Sequence, residues 1–146
     1  MTEAADLLNQ LPKALRPVGT AVHKALMKAG CTHYVKTIYI GYELDGAMVA
    51  ALYPFPDKFE LALALPDDHP STLLIDATHL TWKTLPVAAL VKSKDEQDET
   101  LQLTAEAFER VHVGVHDVDR PNDYFLKSRR ESFGTQRPRL DRPPSN

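Results

Sequence analysis

The sequence predicts an α+β domain: an antiparallel sheet of four to five strands packed on an N-terminal and a C-terminal helix, followed by a flexible C-terminal tail. Three observations carry that expectation. Apolar residues recur at helical spacing between Val18 and Ala29, the period becomes extended from Tyr34 onward, and Ser93 to Glu96 spells a helix start before a second amphipathic run.

Val18, Ala21, Val22, Ala25, Leu26 and Ala29 form one stripe. Pro17 suits a first helical position, where its missing N–H costs nothing, and Gly30 suits the left-handed residue that ends a helix. A helix over 17–29 follows. Ahead of it, Leu7, Leu8 and Leu11 predict a shorter helix from about Glu3 to Leu11, set apart by Pro12 and Pro17. β-Branched and aromatic residues crowd VKTIYIGYEL, which reads as one strand. Asp45-Gly46 tolerates positive φ at both central positions of a tight hairpin, so this strand is expected to pair antiparallel with AMVAALYP.

PFPD makes a second turn into KFELALAL, where Phe59, Leu61, Leu63 and Leu65 alternate with Glu60, Ala62 and Ala64. A three-stranded meander with one apolar face results. PDDHPS is a loop by composition, STLLIDATHLTWKT predicts a short helical turn before a strand around Leu80 to Lys83, and LPVAALVKS a further strand. In the closing helix Leu101, Ala105 and Phe108 share a face, with Ala107 and Val111 alongside. Val111, Val113, Val115, Val118 and Gly114 predict an exit from that helix near His112, because glycine and β-branched residues continue helices poorly.

A chain of 146 residues is a common single-domain size, able to hide roughly 68–70% of its unfolded surface. Apolar residues at 43% and charged residues at 25% are ordinary for a globular protein and force no special class. The boundary is electrostatic. Residues 1–120, read as a single α+β domain, carry 11 Lys+Arg against 17 Asp+Glu, a net −6; residues 121–146 carry 6 against 3, a net +3. That second segment, rich in proline and poor in apolar residues, reads as a polar basic tail that is partly disordered or ordered by a partner. Without a bilayer-length apolar run, and with an N-terminus unlike a signal peptide, the expected location is the cytoplasm, with no membrane partner. The single cysteine, Cys31, excludes an intramolecular disulfide and a zinc site built on cysteine pairs.

KTIYIGYELDGAMVAALYPFPDKFELALAL, the later THLTWKTLPVAALVKS and the closing helix together resemble an uncharacterised bacterial domain family of unknown function, sometimes labelled a predicted transport protein. The resemblance spans roughly residues 20–113. It rests on a lysine before the first strand, a tyrosine-rich strand, a Trp near the fourth strand and an acidic-capped helix. It implies a small frataxin-like α+β layout and no particular activity. The acidic first-helix ridge of iron-handling members is missing, since the helix from Pro17 to Ala29 carries His23, Lys24 and Lys28 and no carboxylate.

Three constellations are candidates for chemistry. Lys36, Tyr39, Tyr42, Lys58, Trp82 and Lys83 combine aromatic faces with cations, able to stack a ring and hold an anionic group. Alternation puts Tyr39 and Tyr42 on opposite sheet faces, and the plainer reading of the set is half-buried sheet residues with solvated edge lysines. In RVHVGVHDVDRP, His112, His116, Asp117 and Asp119 could share a metal ion if the segment is helical, with the histidines about 5–6 Å apart at Cβ. If extended, they stand roughly 13 Å apart, and the aspartates instead cap turns around Pro121. In the tail, Lys127, Arg129, Arg130, Arg137 and Arg139 could contact nucleic-acid phosphates.

His69 and His79 each lie near an aspartate, but no nucleophile–base pattern or phosphate-cradling glycine loop accompanies them. The expectation is a non-catalytic binding or accessory module for a small ligand or protein, needing no cofactor; the alternative is a metal-binding protein or metal-dependent enzyme using the histidine-aspartate cluster.

Overall fold

The computed structural model describes residues 3–80 and 82–117, the last three of these by their backbone alone. In chain order the elements are α1 (Ala4–Leu8), a 3₁₀ turn (Lys13–Leu15), α2 (Arg16–Ala29), β1 (Thr32–Val35), β2 (Ile40–Leu44), β3 (Ala47–Pro54), β4 (Phe59–Leu63), β5 (Leu74–Asp76), β6 (Val87–Val91), a second 3₁₀ turn (Lys94–Glu96) and α3 (Gln97–Asp117). The strands form one antiparallel sheet in the order β1-β2-β3-β4-β6-β5, so the α+β class holds with six strands in place of four to five. The basic tail lies outside the described residues.

Local signals set several boundaries. Gly30 adopts φ 117° after α2, and the bonds Cys31 N–H to Leu26 O (3.1 Å) and Gly30 N–H to Met27 O (3.1 Å) satisfy carbonyls the helix leaves open. Asp45 (φ 51°) and Gly46 (φ 88°) make the tight β2–β3 turn. Ser93 and Glu96 exchange hydrogen bonds as a capping box ahead of α3.

The stretch expected to be one strand, VKTIYIGYEL, is broken: Lys36 N–H bonds Tyr39 O at 2.9 Å, and the chain folds into a β1–β2 hairpin at Lys36-Thr37-Ile38-Tyr39. Aromatic and β-branched residues continue through this turn and conceal it. The strand expected around Leu80 to Lys83 is instead Leu74–Asp76, where Leu74 and Ile75 pair with Ala89 and Ala88. Asp76 then accepts the Thr78 N–H at 2.8 Å, and that Asx-type turn ends β5.

α3 does not end near His112 as its valines and Gly114 predict; it continues to Asp117. The propensity cost of valine or glycine is at most about 1 kcal/mol per residue, less than the gain from extending a nucleated helix anchored by buried Thr104, Ala107 and Val111.

α2 and α3 pack against each other, α3 against β3, β2 and β4, and His23 of α2 meets Tyr42 of β2. Helices in direct contact cannot be separated by a sheet, so both cover one face. Tyr42, Ile40, Leu52, Leu61 and Leu63 are fully buried there, each such side chain contributing roughly 1.5–3 kcal/mol by leaving water. The opposite face is not polar as the alternation suggested. Ala51, Tyr53, Glu60, Ala62 and Ala88 are buried too, because the 77–86 connection crosses it with Ala77 and Leu85 in the core.

Candidate binding site on the sheet face opposite the helices

Strand register assembles the site. Tyr53 of β3 lies directly opposite Glu60 of β4, and Glu60 opposite Leu90 of β6, so the three share a face. Tyr39, the turn residue just before β2, stacks on Tyr53 with ring centroids 5.1 Å apart and planes at 29°. Tyr34 of β1 meets Tyr39 edge-on at 6.0 Å. From the 77–86 connection Trp82 packs edge-on to Tyr39 at 5.8 Å and donates its indole N–H to the Tyr53 hydroxyl at 2.9 Å. These are the geometries that aromatic quadrupoles favour. Burial holds the Tyr53 phenol above its ordinary range, the Trp82 hydrogen bond opposing and Tyr39 adding to the effect.

Beside the rings sits a carboxylate on a central strand. Glu60 is 5% exposed. One of its oxygens accepts from His79 Nε2 at 2.6 Å and the other lies 3.5 Å from Lys58 Nζ. A buried charge is tolerable only when paired, and here both partners keep solvent contact, His79 with 47% and Lys58 with 29% of the side chain exposed. Lys58 also lies 5.1 Å from the Phe55 ring centroid, and Lys36 5.8 Å from that of Tyr34. The result is a floor of four rings, partly exposed at Tyr34, Tyr39 and Trp82, with cations at its rim and an acid–imidazole pair at one end.

Of the residues singled out from sequence, Tyr39 and Trp82 come together, Lys36 lies over the Tyr34 ring, Lys58 pairs with Glu60 and has Phe55 as its ring contact, and Lys83 is exposed in the connection that carries Trp82. Tyr42 does not join them. It is buried on the helix-covered face, as strand alternation requires, with its hydroxyl 2.8 Å from His23 Nδ1. Sequence reasoning missed Tyr34, Tyr53, Glu60 and His79. One signal was available: closing PFPD as a hairpin loop pairs Pro54 with Phe59 and therefore Tyr53 with Glu60.

Three further groups, His23, Tyr42 and Cys31, are shifted chiefly by burial. Burial, then the neighbouring His33, holds His23 below its ordinary pKa; burial, then Cys31, raises Tyr42. The Tyr42 phenol therefore keeps its proton, and it shares a hydrogen bond with His23 Nδ1 between two neutral groups. Burial also pushes the Cys31 thiol up to about 11, far from a working nucleophile.

His69 and Ser71 border a cleft of about 430 Å³ with Asp98, Glu99, Gln102 and Glu106. There His69 Nδ1 accepts the Ser71 backbone N–H at 3.1 Å, so Nε2 carries the proton given to Glu106 at 2.8 Å. The Ser71 hydroxyl donates to Glu99. Neither His69 nitrogen is left to act as a base on Ser71, and the pair ties the β4–β5 loop to α3.

His112 stacks on Phe108 at 5.6 Å. The helical backbone places His116 one turn beyond it, while Asp119 and the tail residues Lys127, Arg129, Arg130, Arg137 and Arg139 lie outside the described residues. Among the described residues no three of His, Cys, Asp or Glu are grouped to hold a metal ion, and no helix is long and apolar enough to cross a membrane. No family model matches the chain, and no curated protein or solved structure matches it either.

Proposed function

We propose that the chain is a non-catalytic binding module of a bacterial cytoplasm, and that its ligand lies on the floor of Tyr34, Tyr39, Tyr53 and Trp82. The observation that carries this reading is the Trp82–Tyr53 hydrogen bond, which holds the connection on the sheet and keeps partly exposed ring faces beside the Glu60–His79 pair, with Lys36 over Tyr34 and Lys58 paired to Glu60. Such a surface suits a planar ring carrying an anionic group: the rings supply stacking and the lysines supply charge. An enzyme reading has less support. Among the described residues His79 has an orienting carboxylate but no nucleophile hydrogen-bonded to it, and both nitrogens of His69 are consumed by contacts with Ser71 and Glu106.

A thermal-shift screen of nucleotides and short oligonucleotides tests this. A hit should raise the melting temperature and weaken in Trp82→Ala. A hit of unchanged strength in that variant removes the aromatic floor from consideration.

One observation supports the metal alternative: α3 runs to Asp117, so His112 and His116 stand four apart on a helix, the spacing at which two side chains can share an ion. Elemental analysis of protein purified without chelators should then show about one ion per chain, lost in His112→Ala and His116→Ala. Metal content near zero, with no thermal shift on adding Zn²⁺, Fe²⁺ or Mn²⁺, ends that reading.

A further inference from the structure

Charge is segregated along the chain, and of the cations in its basic stretch only Lys36 borders the binding floor. From Leu7 to Tyr42 there are 36 residues without a carboxylate and with five cations, Lys13, Arg16, Lys24, Lys28 and Lys36. The fold sets α2, from this stretch, directly beside α3, which carries Asp98, Glu99, Glu106 and Glu109. At about 100° per residue, Arg16, Lys24, Met27 and Lys28 fall within an arc of roughly 120°, opposite the buried Val18, Val22 and Leu26. By the same measure Asp98, Glu99, Gln102, Glu106, Glu109 and Val113 fall within an arc of roughly 100°, opposite the buried Thr100, Thr104, Ala107 and Val111.

Ser71 answers Glu99, His69 answers Glu106 and the Leu11 carbonyl answers Arg16, while the other charges of the two stripes are unanswered among the described residues. Lys24 and Lys28 on α2, and Asp98 and Glu109 on α3, have no hydrogen bond or ion pair among the described residues. The large exposed apolar side chains of the described residues are Met27, Ile38 and Val113, and two of the three sit inside these stripes, Met27 in the basic one (36% exposed) and Val113 in the acidic one (53% exposed).

We propose that the outer surface of the helical layer is a self-complementary face on which a second copy of this chain docks, α2 of each copy lying against α3 of the other. A two-fold dimer brings every patch to its complement twice, so one basic and one acidic stripe side by side are both satisfied by a single partner. A polyanion would be drawn to α2 and repelled by the adjoining α3; a polycation would meet the reverse. Met27 against Val113 supplies the apolar centre and the charges the polar rim, the usual division of an interface.

Sedimentation of the full chain decides it. At 0.1 M salt the protein is dimeric, and it dissociates toward monomer at 1 M, where the screening length falls from about 10 Å to about 3 Å. Lys24→Glu with Lys28→Glu makes one variant; Asp98→Lys with Glu109→Lys makes the other. Each alone is monomeric, with its dimer weakened by at least about tenfold, and an equimolar mixture restores a dimer because each reversed stripe again meets its complement. All four residues are exposed, so folding is preserved, and the mixing arm controls for it.

A chain that stays monomeric at 0.1 M salt and about 100 μM overturns the proposal. So does a dimer indifferent to both reversals, or a mixture that stays monomeric. Retention of a single-stranded oligonucleotide by a monomer, lost in the Lys24/Lys28 variant, would assign the basic stripe to phosphates instead and equally overturn it.

Discussion

Trp82 donates its indole N–H to the hydroxyl of Tyr53 across 2.9 Å, joining a connection between β5 and β6 to a residue of β3 that is 29 positions away in sequence. Through that bond the sheet face opposite the helices acquires a wall, and Tyr39 is held between the two rings. Replacing Trp82 by Phe keeps most of the aromatic area and removes the donor. The expected loss is about 1–2 kcal/mol in chemical denaturation, the cost of leaving the nearly buried Tyr53 hydroxyl without its donor. No measurable loss would mean that the 77–86 connection is held by apolar contact alone.

Glu60 should tolerate loss of charge better than loss of shape. In Glu60→Gln an amide oxygen still accepts from His79, and only the attraction to Lys58 disappears, so the expected change is under about 1 kcal/mol. Glu60→Ala removes the acceptor and opens space beside Tyr53, costing about 1–3 kcal/mol. Equal losses in the two variants, by urea unfolding, would contradict this ordering.

Gly41 lies under the Tyr34 ring: a Cβ built on it would clash with Tyr34 Cζ. Gly41→Ala must therefore displace the ring from the floor, at a cost of about 1–3 kcal/mol. Adding Tyr34→Ala to that variant should recover part of the loss, since the clash goes with the ring; a strictly additive double mutant would contradict a direct contact.

Stability should fall on the acid side through His23. Its folded pKa lies below 6.5, so the unfolded chain takes up the proton first as pH drops. The contribution is fully present above about 6.5 and is lost as pH falls from there toward the lower folded value. The groups that face His23 in ring or hydrogen-bond contact are Tyr42 and His33, and neither offers the imidazolium a counter-charge. Melting temperatures between pH 8 and 5.5 should decline more steeply for the wild type than for His23→Gln. Identical slopes would exclude His23 as the source.

Much of this fold is legible because its signals are local. Asp45-Gly46, Gly30 and the Ser93–Glu96 box act through their own backbone conformations and their nearest neighbours, and each appears where its residues predict. Lys36-Thr37-Ile38-Tyr39 turns without a glycine, proline, asparagine or aspartate, so nothing in its composition marks a break between β1 and β2. The location of β5 was decided by pairing with Ala88 and Ala89, a competition between LLID and HLTW that periodicity alone does not settle. Glu60 looked like a solvent-facing residue of an amphipathic strand because the connection that buries it returns from residues 77–86. For the same reason the floor was legible only in part: Tyr39 and Trp82 stand out as exposed-type aromatics, whereas Tyr53 and His79 enter through register and a long-range crossing. The run of α3 beyond His112 is a case of weak propensity yielding to a helix already anchored on the sheet.

Trp82 is the one tryptophan of the chain, so its emission reports on the floor directly. The decisive measurement is a fluorescence titration of wild type, Trp82→Phe/Tyr39→Ala and Tyr42→Phe with whichever ring-bearing anion raises the melting temperature, the tryptophan-free variant being followed by calorimetry. The account predicts saturable quenching in the wild type, affinity at least about tenfold weaker when Tyr39 and Trp82 are changed, since stacking on aromatic side chains is worth about 1–3 kcal/mol per ring, and unchanged affinity in Tyr42→Phe on the opposite face. Binding that survives in the Tyr39/Trp82 variant and is lost in Tyr42→Phe would contradict it.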